Sequence, residues 1–210
     1  IKAGLENVAL NSMMENGRRV WSRNPFDNVK IDGYVGVYVD KNGHRNVNTG
    51  YVVAMGETYW AAEKAAKALK VDWDLGENKN VSSKTIRNES IRLQKNPNDG
   101  FLWVLEGDID KGMKNAQNKH LAVYETAIAY HGCMEPMNCV VYEKDGIWHI
   151  HGANQSASFT PAVVGGAIGV DSDKVVCHQY YAGGGFGRKG ENDAFVMAAQ
   201  ASNFIKNIEN

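Results

Sequence analysis

A run of three consecutive glycines at 183–185 is the feature that most constrains how this chain folds. It opens the sequence Gly-Gly-Gly-Phe-Gly-Arg-Lys over 183–189, after a Val- and Tyr-rich segment that predicts a strand over 174–181. A helix over 193–207 is predicted to follow, with Asn192 as its cap. Because glycines leave backbone N–H groups unshielded, such a loop beside a helix N-terminus suits an anionic or electron-rich oxygen. The loop therefore indicates a cradle for phosphate or for an oxo group, or only a glycine-rich surface turn.

Two cations at the end of this loop, Arg188 and Lys189, add positive charge at the same place. The spacing is not that of a P-loop, and the loop does not open the first strand of a βαβ unit as the dinucleotide-binding fingerprint does. A nucleotide site of either standard kind is therefore not expected. A phosphate-binding module that uses this loop alone stays one interpretation.

Two upstream segments contain further candidate groups. The segment 124–138 ends in Met-Glu-Pro-Met-Asn and contains Glu125, His131 and Glu135, which are acid–base residue types. A glutamate before a proline is more often a structural carboxylate, so both roles stay open. Farther on, the side-chain amide of Gln155 is either a donor to a ligand or a loop amide in water.

Composition narrows the classes of function. The chain has 210 residues, of which 43% are apolar, and is long enough to bury a sizeable core in one or two domains. A formal net charge of −1 argues against a dedicated nucleic-acid binder, and no apolar run is long enough to span a membrane. Its cysteines form no CxxC pair, so neither a zinc ribbon nor an iron–sulfur motif is expected.

Interleaved strand and helix patterns predict an α+β fold class that contains α/β parts. We predict a small α/β domain over 1–75, a surface linker rich in Asn, Ser and Lys over 76–100, and a second α/β layer over 101–210. Residues 1–16 are predicted as a helix and 17–33 as a loop. Further predicted elements are strands at 34–39, 51–55 and 71–75, helices at 57–71, 86–93, 108–118 and 157–168, and a hairpin that joins 139–142 to 147–151.

The order of Met-Glu-Pro-Met-Asn, Asn-Gln and Gly-Gly-Gly-Phe-Gly-Arg-Lys resembles the molybdenum-binding subunit of the xanthine dehydrogenase and aldehyde oxidase superfamily. An arginine after the fourth glycine is typical of the branch of isoquinoline 1-oxidoreductase β-subunits. The resemblance covers about residues 50–205, whereas 1–49 match poorly and are assigned by position. It implies the end of a hammerhead-like α/β domain, followed by the first part of a molybdopterin-binding domain.

The resemblance also implies roles for matched positions. Gln155 would approach the oxo ligand of the molybdenum, and Phe186 would wall the metal centre. The dithiolene of the cofactor would hold the metal, so no protein side chain is expected as a metal ligand. Glu135 and Glu191 are candidates for the substrate side, but Gly190 stands where purine hydroxylases carry a glutamate, so a purine substrate is not expected. The implied cofactor-binding positions are Gly184, Gly185, Phe186, Gly187 and Arg188.

The implied function is the cofactor-binding part of a molybdenum hydroxylase. It would oxidise an aldehyde or N-heteroaromatic substrate with water as the oxygen source, using molybdopterin in its cytosine dinucleotide form. The superfamily's catalytic glutamate has no matched position, so we expect the chain to be incomplete and inactive alone. Expected partners are the C-terminal half of the molybdenum subunit and an iron–sulfur subunit with two [2Fe-2S] clusters. Localisation in the bacterial cytoplasm or periplasm stays open.

The alternative is an isolated or degenerate domain that binds no cofactor and acts in assembly or partner binding. The poor match over 1–49 and the missing glutamate motivate it. A fragment of a larger enzyme is also expected to expose apolar surface and to self-associate.

Overall fold

The computed structural model describes residues 12–15, 18–21, 30–40, 50–71 and 76–209. These residues form the mixed α+β fold that the sequence predicts. The strands are β1 (Ser12–Glu15), β2 (Arg18–Trp21), β3 (Tyr34–Asp40), β4 (Tyr51–Gly56), β5 (Val140–Lys144), β6 (Ile147–Gly152) and β7 (Val175–Gln179). The α-helices are α1 (Tyr59–Ala68), α2 (Ser83–Lys95), α3 (Ile109–Asn115), α4 (Thr160–Ile168) and α5 (Asp193–Glu209). Short 3-10 helices occupy Gly76–Asn80, Pro97–Asp99, Ala157–Phe159, Ser172–Lys174 and Arg188–Gly190.

The chain divides into two compact units. The first joins the residues up to Leu75 with those from His131 onward, and the second is Gly76–Tyr130. The sequence-based division into 1–75, 76–100 and 101–210 groups the residues differently and stays a prediction.

Within the first unit, β3 and β4 form an antiparallel pair against which α1 packs. The helix begins where the Thr58 hydroxyl accepts a hydrogen bond from the N–H of Ala61 at 3.2 Å, which satisfies one of its unpaired donors. Ala61 and Ala65 form its buried face. A Cβ at Gly56 would lie 2.6 Å from the backbone nitrogen of Ala62, so only glycine lets the end of β4 approach the helix this closely.

The three-stranded sheet of this unit has the order β5-β6-β7 and carries the site. β5 runs antiparallel to β6, whereas β7 runs parallel to β6 after the crossover through α4. Pro161 lies in the first turn of α4, where its missing N–H costs no helical hydrogen bond. Gly169 ends that helix with a φ of 76°. The carboxyl ends of β6 and β7 and the start of β5 therefore lie at one edge of the sheet.

The core of the first unit packs α4 and α5 against this sheet. Ile150 on the central strand, Val164 on α4 and Val196 on α5 are each 0% exposed. Phe195 of α5 lies against the end of β6, where a Cβ at Gly152 would come within 2.7 Å of the ring. The carboxyl ends of β6 and β7 are therefore supported by closely packed core side chains.

The sequence prediction for the N-terminal segment is wrong at 12–15 and 18–21, whereas the turn at 30–33 agrees with the predicted loop. Instead of a helix over 1–16 and a loop over 17–33, β1 and β2 form an antiparallel pair in which Ser12 faces Trp21. The two strands flank Asn16-Gly17, and this dipeptide is a strong signal for a two-residue hairpin turn. That local preference outweighs the helical spacing of the apolar residues. Residues 1–11 and 22–29 lie outside the described residues.

Elsewhere the predicted elements hold with shifted ends. The hairpin at 139–151, the strands at 34–39 and 51–55 and the helix with Pro161 are confirmed. The helix predicted near 86–93 is longer, because a capping box at Ser82 starts it at Ser83: the N–H of Thr85 donates to Ser82 Oγ at 3.2 Å, and the N–H of Ser82 donates to Thr85 Oγ1 at 2.8 Å. The strand predicted at 71–75 falls mostly outside the described residues.

The second unit exposes many large apolar side chains. Phe101 and Trp103 contact each other edge to face, with ring centroids 5.2 Å apart, and yet are 79% and 87% exposed. Leu121 and Tyr124 are similarly open. Self-association stays a prediction. Within the described ranges, no helix combines the length and the apolar character needed to cross a membrane.

Candidate functional site

The three motifs of the sequence meet at one edge of the β5-β6-β7 sheet. Met-Glu-Pro-Met-Asn precedes β5, Asn154-Gln155 follows β6, and the glycine loop follows β7. Since β6 and β7 are parallel and β5 is antiparallel, this topology alone brings the three together. Ligand sites in sheets with parallel strands lie outside such carboxyl ends.

The glycine loop has a backbone that few residues other than glycine adopt. Gly184 and Gly187 have φ values of 95° and 91°, and Phe186 has a φ of 51°. The N–H of Arg188 donates to the carbonyl of Gly185 at 2.8 Å and closes the turn. Among the described residues, the N–H groups of Gly184, Gly185 and Phe186 have no acceptor. The loop therefore presents a run of three backbone donors for which a ligand would supply the acceptor.

Gln155 lies directly under this loop. Its Oε1 accepts a hydrogen bond from the N–H of Gly187 at 2.9 Å, and its own N–H donates to the carbonyl of Lys189 at 2.8 Å. A Cβ at Gly185 would lie 2.5 Å from Gln155 Oε1, so the absent side chain makes room for the amide. With its oxygen used by the loop, Gln155 keeps its Nε2 group as the donor for a ligand.

Glu135 binds the other end of the loop. Its Oε2 accepts from the N–H of Gly183 at 2.7 Å and also pairs with Lys189 Nζ. Asn138 Nδ2 donates to its Oε1 at 3.3 Å. The Lys189 side chain is only 2% exposed, whereas that of Glu135 is 28% exposed. Glu135 is a predicted candidate for the substrate side, but its carboxylate is directed at the loop.

The contacts of Glu135 predict how the stability of the fold depends on pH. The Lys189 ammonium, then the N–H of Gly183 and the Asn138 amide, lower the pKa of this carboxyl from 4.5 to about 2. A group whose pKa is depressed by folding stabilises the fold above its ordinary pKa, and this contribution is lost as the pH falls from 4.5 towards about 2. We expect the denaturation midpoint to fall over that range and the fall to be shallower in Glu135→Gln. If the denaturation midpoint falls equally steeply with pH in the wild type and in Glu135→Gln, the pairing of Glu135 with Lys189 is contradicted.

The remaining loop positions divide into paired and exposed side chains. Arg188 makes two parallel hydrogen bonds to Asp193 in the first turn of α5, at 2.9 and 2.5 Å. Phe186 is 70% exposed and projects from the loop, and Glu191 is exposed just beyond it. The cation predicted to meet the cofactor is thus already bound to a carboxylate.

Sequence reasoning missed a buried polar network beneath the loop. Asn154 Nδ2 and the Thr160 hydroxyl both donate to Asn192 Oδ1, at 3.0 and 2.7 Å. Ser156 Oγ donates to the carbonyl of Gly190 at 2.5 Å. Asn192 directly precedes α5, as the predicted cap requires, and its carbonyl accepts from the N–H of Val196 at 2.9 Å, but its side-chain oxygen accepts from Asn154 and Thr160 instead of from the helix. The only sequence signal was the clustering of small polar residues at 154–160.

The side chains of the other predicted acid–base residues make no hydrogen bond to the loop within the described part of the chain. Glu125 belongs to the second unit, where it pairs with Arg87 at 2.5 Å, and this contact lowers the pKa of Glu125. His131 is exposed. Cys133 Sγ donates to the carbonyl of Gly185 at 3.2 Å, so a residue without a predicted role contacts the loop.

A group of aromatic rings covers the outer face of the same sheet. His151 and His178 stack with centroids 4.0 Å apart, and His149 Nδ1 lies 3.0 Å from His178 Nε2. Burial, with the neighbouring imidazoles, lowers the pKa of His151. No group of three or more His, Cys, Asp or Glu side chains in the described part of the chain is arranged to hold a metal ion. A cleft of about 550 Å³ between this face and Glu135 is lined in part by Tyr142 and Tyr180.

Comparison with known proteins gives two matches. Residues 93–207 match the molybdopterin cofactor-binding domain family. The chain is also 33% identical, over 186 residues, to a membrane-bound aldehyde dehydrogenase (pyrroloquinoline-quinone) of Gluconacetobacter polyoxogenes. That alignment covers 89% of this chain but 24% of the relative, so the chain spans about a quarter of the relative's length.

Proposed function

The chain belongs to the molybdopterin cofactor-binding domain family, and from this premise we propose that it is the cofactor-binding part of a molybdenum-dependent oxidoreductase. The observation that carries the proposal is the run of unpaired N–H groups at Gly184, Gly185 and Phe186. Fixed backbone donors of this kind stabilise negative charge on an oxygen without having to reorganise.

The residues present fit such a group. The three loop N–H groups and Gln155 Nε2 would hold the electron-rich side of the cofactor, and the exposed ring of Phe186 would exclude water beside it. When bound, the cofactor supplies the two-electron redox centre. Glu135, Ser156 and Cys133 fix the backbone from which these donors project.

Several finer assignments belong to the same proposal. The substrate would be an aldehyde or an N-heteroaromatic compound oxidised with oxygen from water, and the cofactor would be the cytosine dinucleotide form. The chain would stand closest to the isoquinoline 1-oxidoreductase branch and would combine a hammerhead-like domain with the first part of a molybdopterin-binding domain. Its partners would be the rest of the molybdenum subunit and a subunit with two [2Fe-2S] clusters. The relative is named an aldehyde dehydrogenase, which supports an aldehyde as the substrate.

A quinone is the second candidate cofactor, because the relative's name includes pyrroloquinoline quinone. That quinone carries several carboxylates, and carboxylates are commonly bound by arginine or lysine. At this loop Arg188 is paired with Asp193, and Lys189 is paired with Glu135. These pairings favour molybdopterin.

The test is cofactor analysis of the native assembly, purified through this chain. Elemental mass spectrometry is expected to find about one molybdenum per chain, and extraction is expected to find no quinone. Stoichiometric quinone without molybdenum would move the function to the second candidate. The absence of both would favour the degenerate domain that acts only in assembly.

A further inference from the structure

The two positive charges of the glycine loop are paired with carboxylates of the protein itself. By sequence, Arg188 and Lys189 are the cations that a phosphate ligand would meet. In the structure, Lys189 is 1% exposed and its ammonium pairs with Glu135. Arg188 is held by Asp193 through two hydrogen bonds. Each cation of the loop thus has a carboxylate partner.

The contact between Glu135 and Lys189 also fixes the conformation of the glycine loop. The N–H of Gly183 and the Lys189 ammonium meet on the same oxygen, Oε2 of Glu135. In return, the N–H of Glu135 donates to the carbonyl of Gly183 at 3.1 Å. A Cβ at Gly183 would lie 2.6 Å from Glu135 Cβ, so the two backbones approach as closely as a glycine allows. The first and last residues of the loop are therefore held by one carboxylate.

This arrangement separates the loop's donors from its charges. The N–H groups of Gly184, Gly185 and Phe186 stay unpaired within the described chain, while the neighbouring ammonium is neutralised. A ligand oxygen at this place meets peptide dipoles without a net positive charge. Phosphate carries nearly two charges near neutral pH and is bound tightly where a cation adds to the backbone donors, whereas an oxo or carbonyl oxygen needs only the donors.

We propose that Glu135 and Lys189 are a positioning pair that fixes the glycine loop and withholds the lysine charge from it, so that the loop accepts a weakly charged oxygen and rejects phosphate. The proposal rests on the proposed function and deepens it, since it specifies which kind of atom this part of the site receives. It also replaces the substrate-side role predicted for Glu135 with one that acts through the loop.

The experiment measures binding of inorganic phosphate to the full chain by isothermal titration. The wild type and Lys189→Met are expected to show no binding up to about 10 mM phosphate. Glu135→Gln keeps an acceptor for Gly183 but leaves Lys189 without its counter-charge, and is expected to bind phosphate at least about tenfold more tightly than the wild type. The double variant Glu135→Gln with Lys189→Met is expected to lose this gain.

A matched control is Glu143→Gln, which removes the carboxylate of another lysine pair, Glu143 with Lys206, where the two charged atoms are 2.6 Å apart. It is expected to leave phosphate binding at the wild-type level. Circular dichroism identifies any variant that fails to fold. Hydrogen exchange then tests the pair in Lys189→Met, with faster exchange expected at Gly183 and Gly187, whose N–H groups donate to Glu135 and Gln155. Phosphate binding by the wild type that Lys189→Met abolishes would overturn the proposal, as would a folded Glu135→Gln without a gain or unchanged exchange in Lys189→Met. Neither phosphate titration nor hydrogen exchange requires molybdenum, so the failure of this proposal can be told apart from the failure of the proposed function.

Discussion

Replacing Gly185 with alanine is expected to lower the molybdenum content of the native assembly by more than about tenfold, while the fold persists. The new Cβ would lie 2.5 Å from Oε1 and 2.7 Å from Cδ of Gln155. Either the amide or the loop must move, and the hydrogen bond from Gly187 to Gln155 is then lost. Because cofactor contacts depend on donors held within fractions of an ångström, a small displacement has a large effect. Elemental mass spectrometry per chain measures the result.

The matched control is Gly190→Ala at the far end of the loop. A Cβ there meets no atom within 4 Å, and the residue is not among the glycines with positive φ. This variant is expected to keep the wild-type molybdenum content. Full molybdenum in Gly185→Ala, or equal losses in both variants, would contradict the role assigned to Gln155 and the loop.

The second large effect is expected from Ile150→Ala, in the strand at the centre of the sheet. Ile150 is 0% exposed and lies in the main core cluster. Removing its buried methylene and methyl groups leaves a cavity that close-packed neighbours fill only in part, which costs about 2–5 kcal/mol. The expected result is a decrease of that size in the free energy of unfolding, measured by chemical denaturation.

Val140→Ala is the control for this substitution, since Val140 is 62% exposed on the neighbouring strand. It is expected to change the free energy of unfolding by less than about 0.5 kcal/mol. Similar losses for both variants would contradict the packing of the core described for β6, α4 and α5.

The parts of the site that follow from local sequence could be predicted. Strand, glycine loop and helix follow one another over 175–209, and the hairpin turn at Asp145-Gly146 is local as well. Once β6 and β7 are known to be parallel, the meeting of the Gln155 segment with the loop follows from topology. The pairing of β1 with β2 also has a local signal, Asn16-Gly17, but the helical spacing of the apolar residues before it predicts a helix instead.

The side-chain pairs that hold the glycine loop in place could not be predicted, since they join residues that are distant in sequence. Glu135 and Lys189 are 54 positions apart, and nothing in either neighbourhood marks the lysine as buried. The contact of Asn154 with Asn192 spans 38 positions and depends on how α5 packs beneath the loop. A sequence shows which residues are able to pair, whereas the packed fold decides which of them do.

The most direct test of the central claim is the position of molybdenum in crystals of the native assembly, located by anomalous scattering at its absorption edge. We expect one anomalous peak beside the backbone of Gly184, Gly185 and Phe186, near the side-chain amide of Gln155. A peak remote from this loop, or crystals of an active assembly without molybdenum, would contradict it.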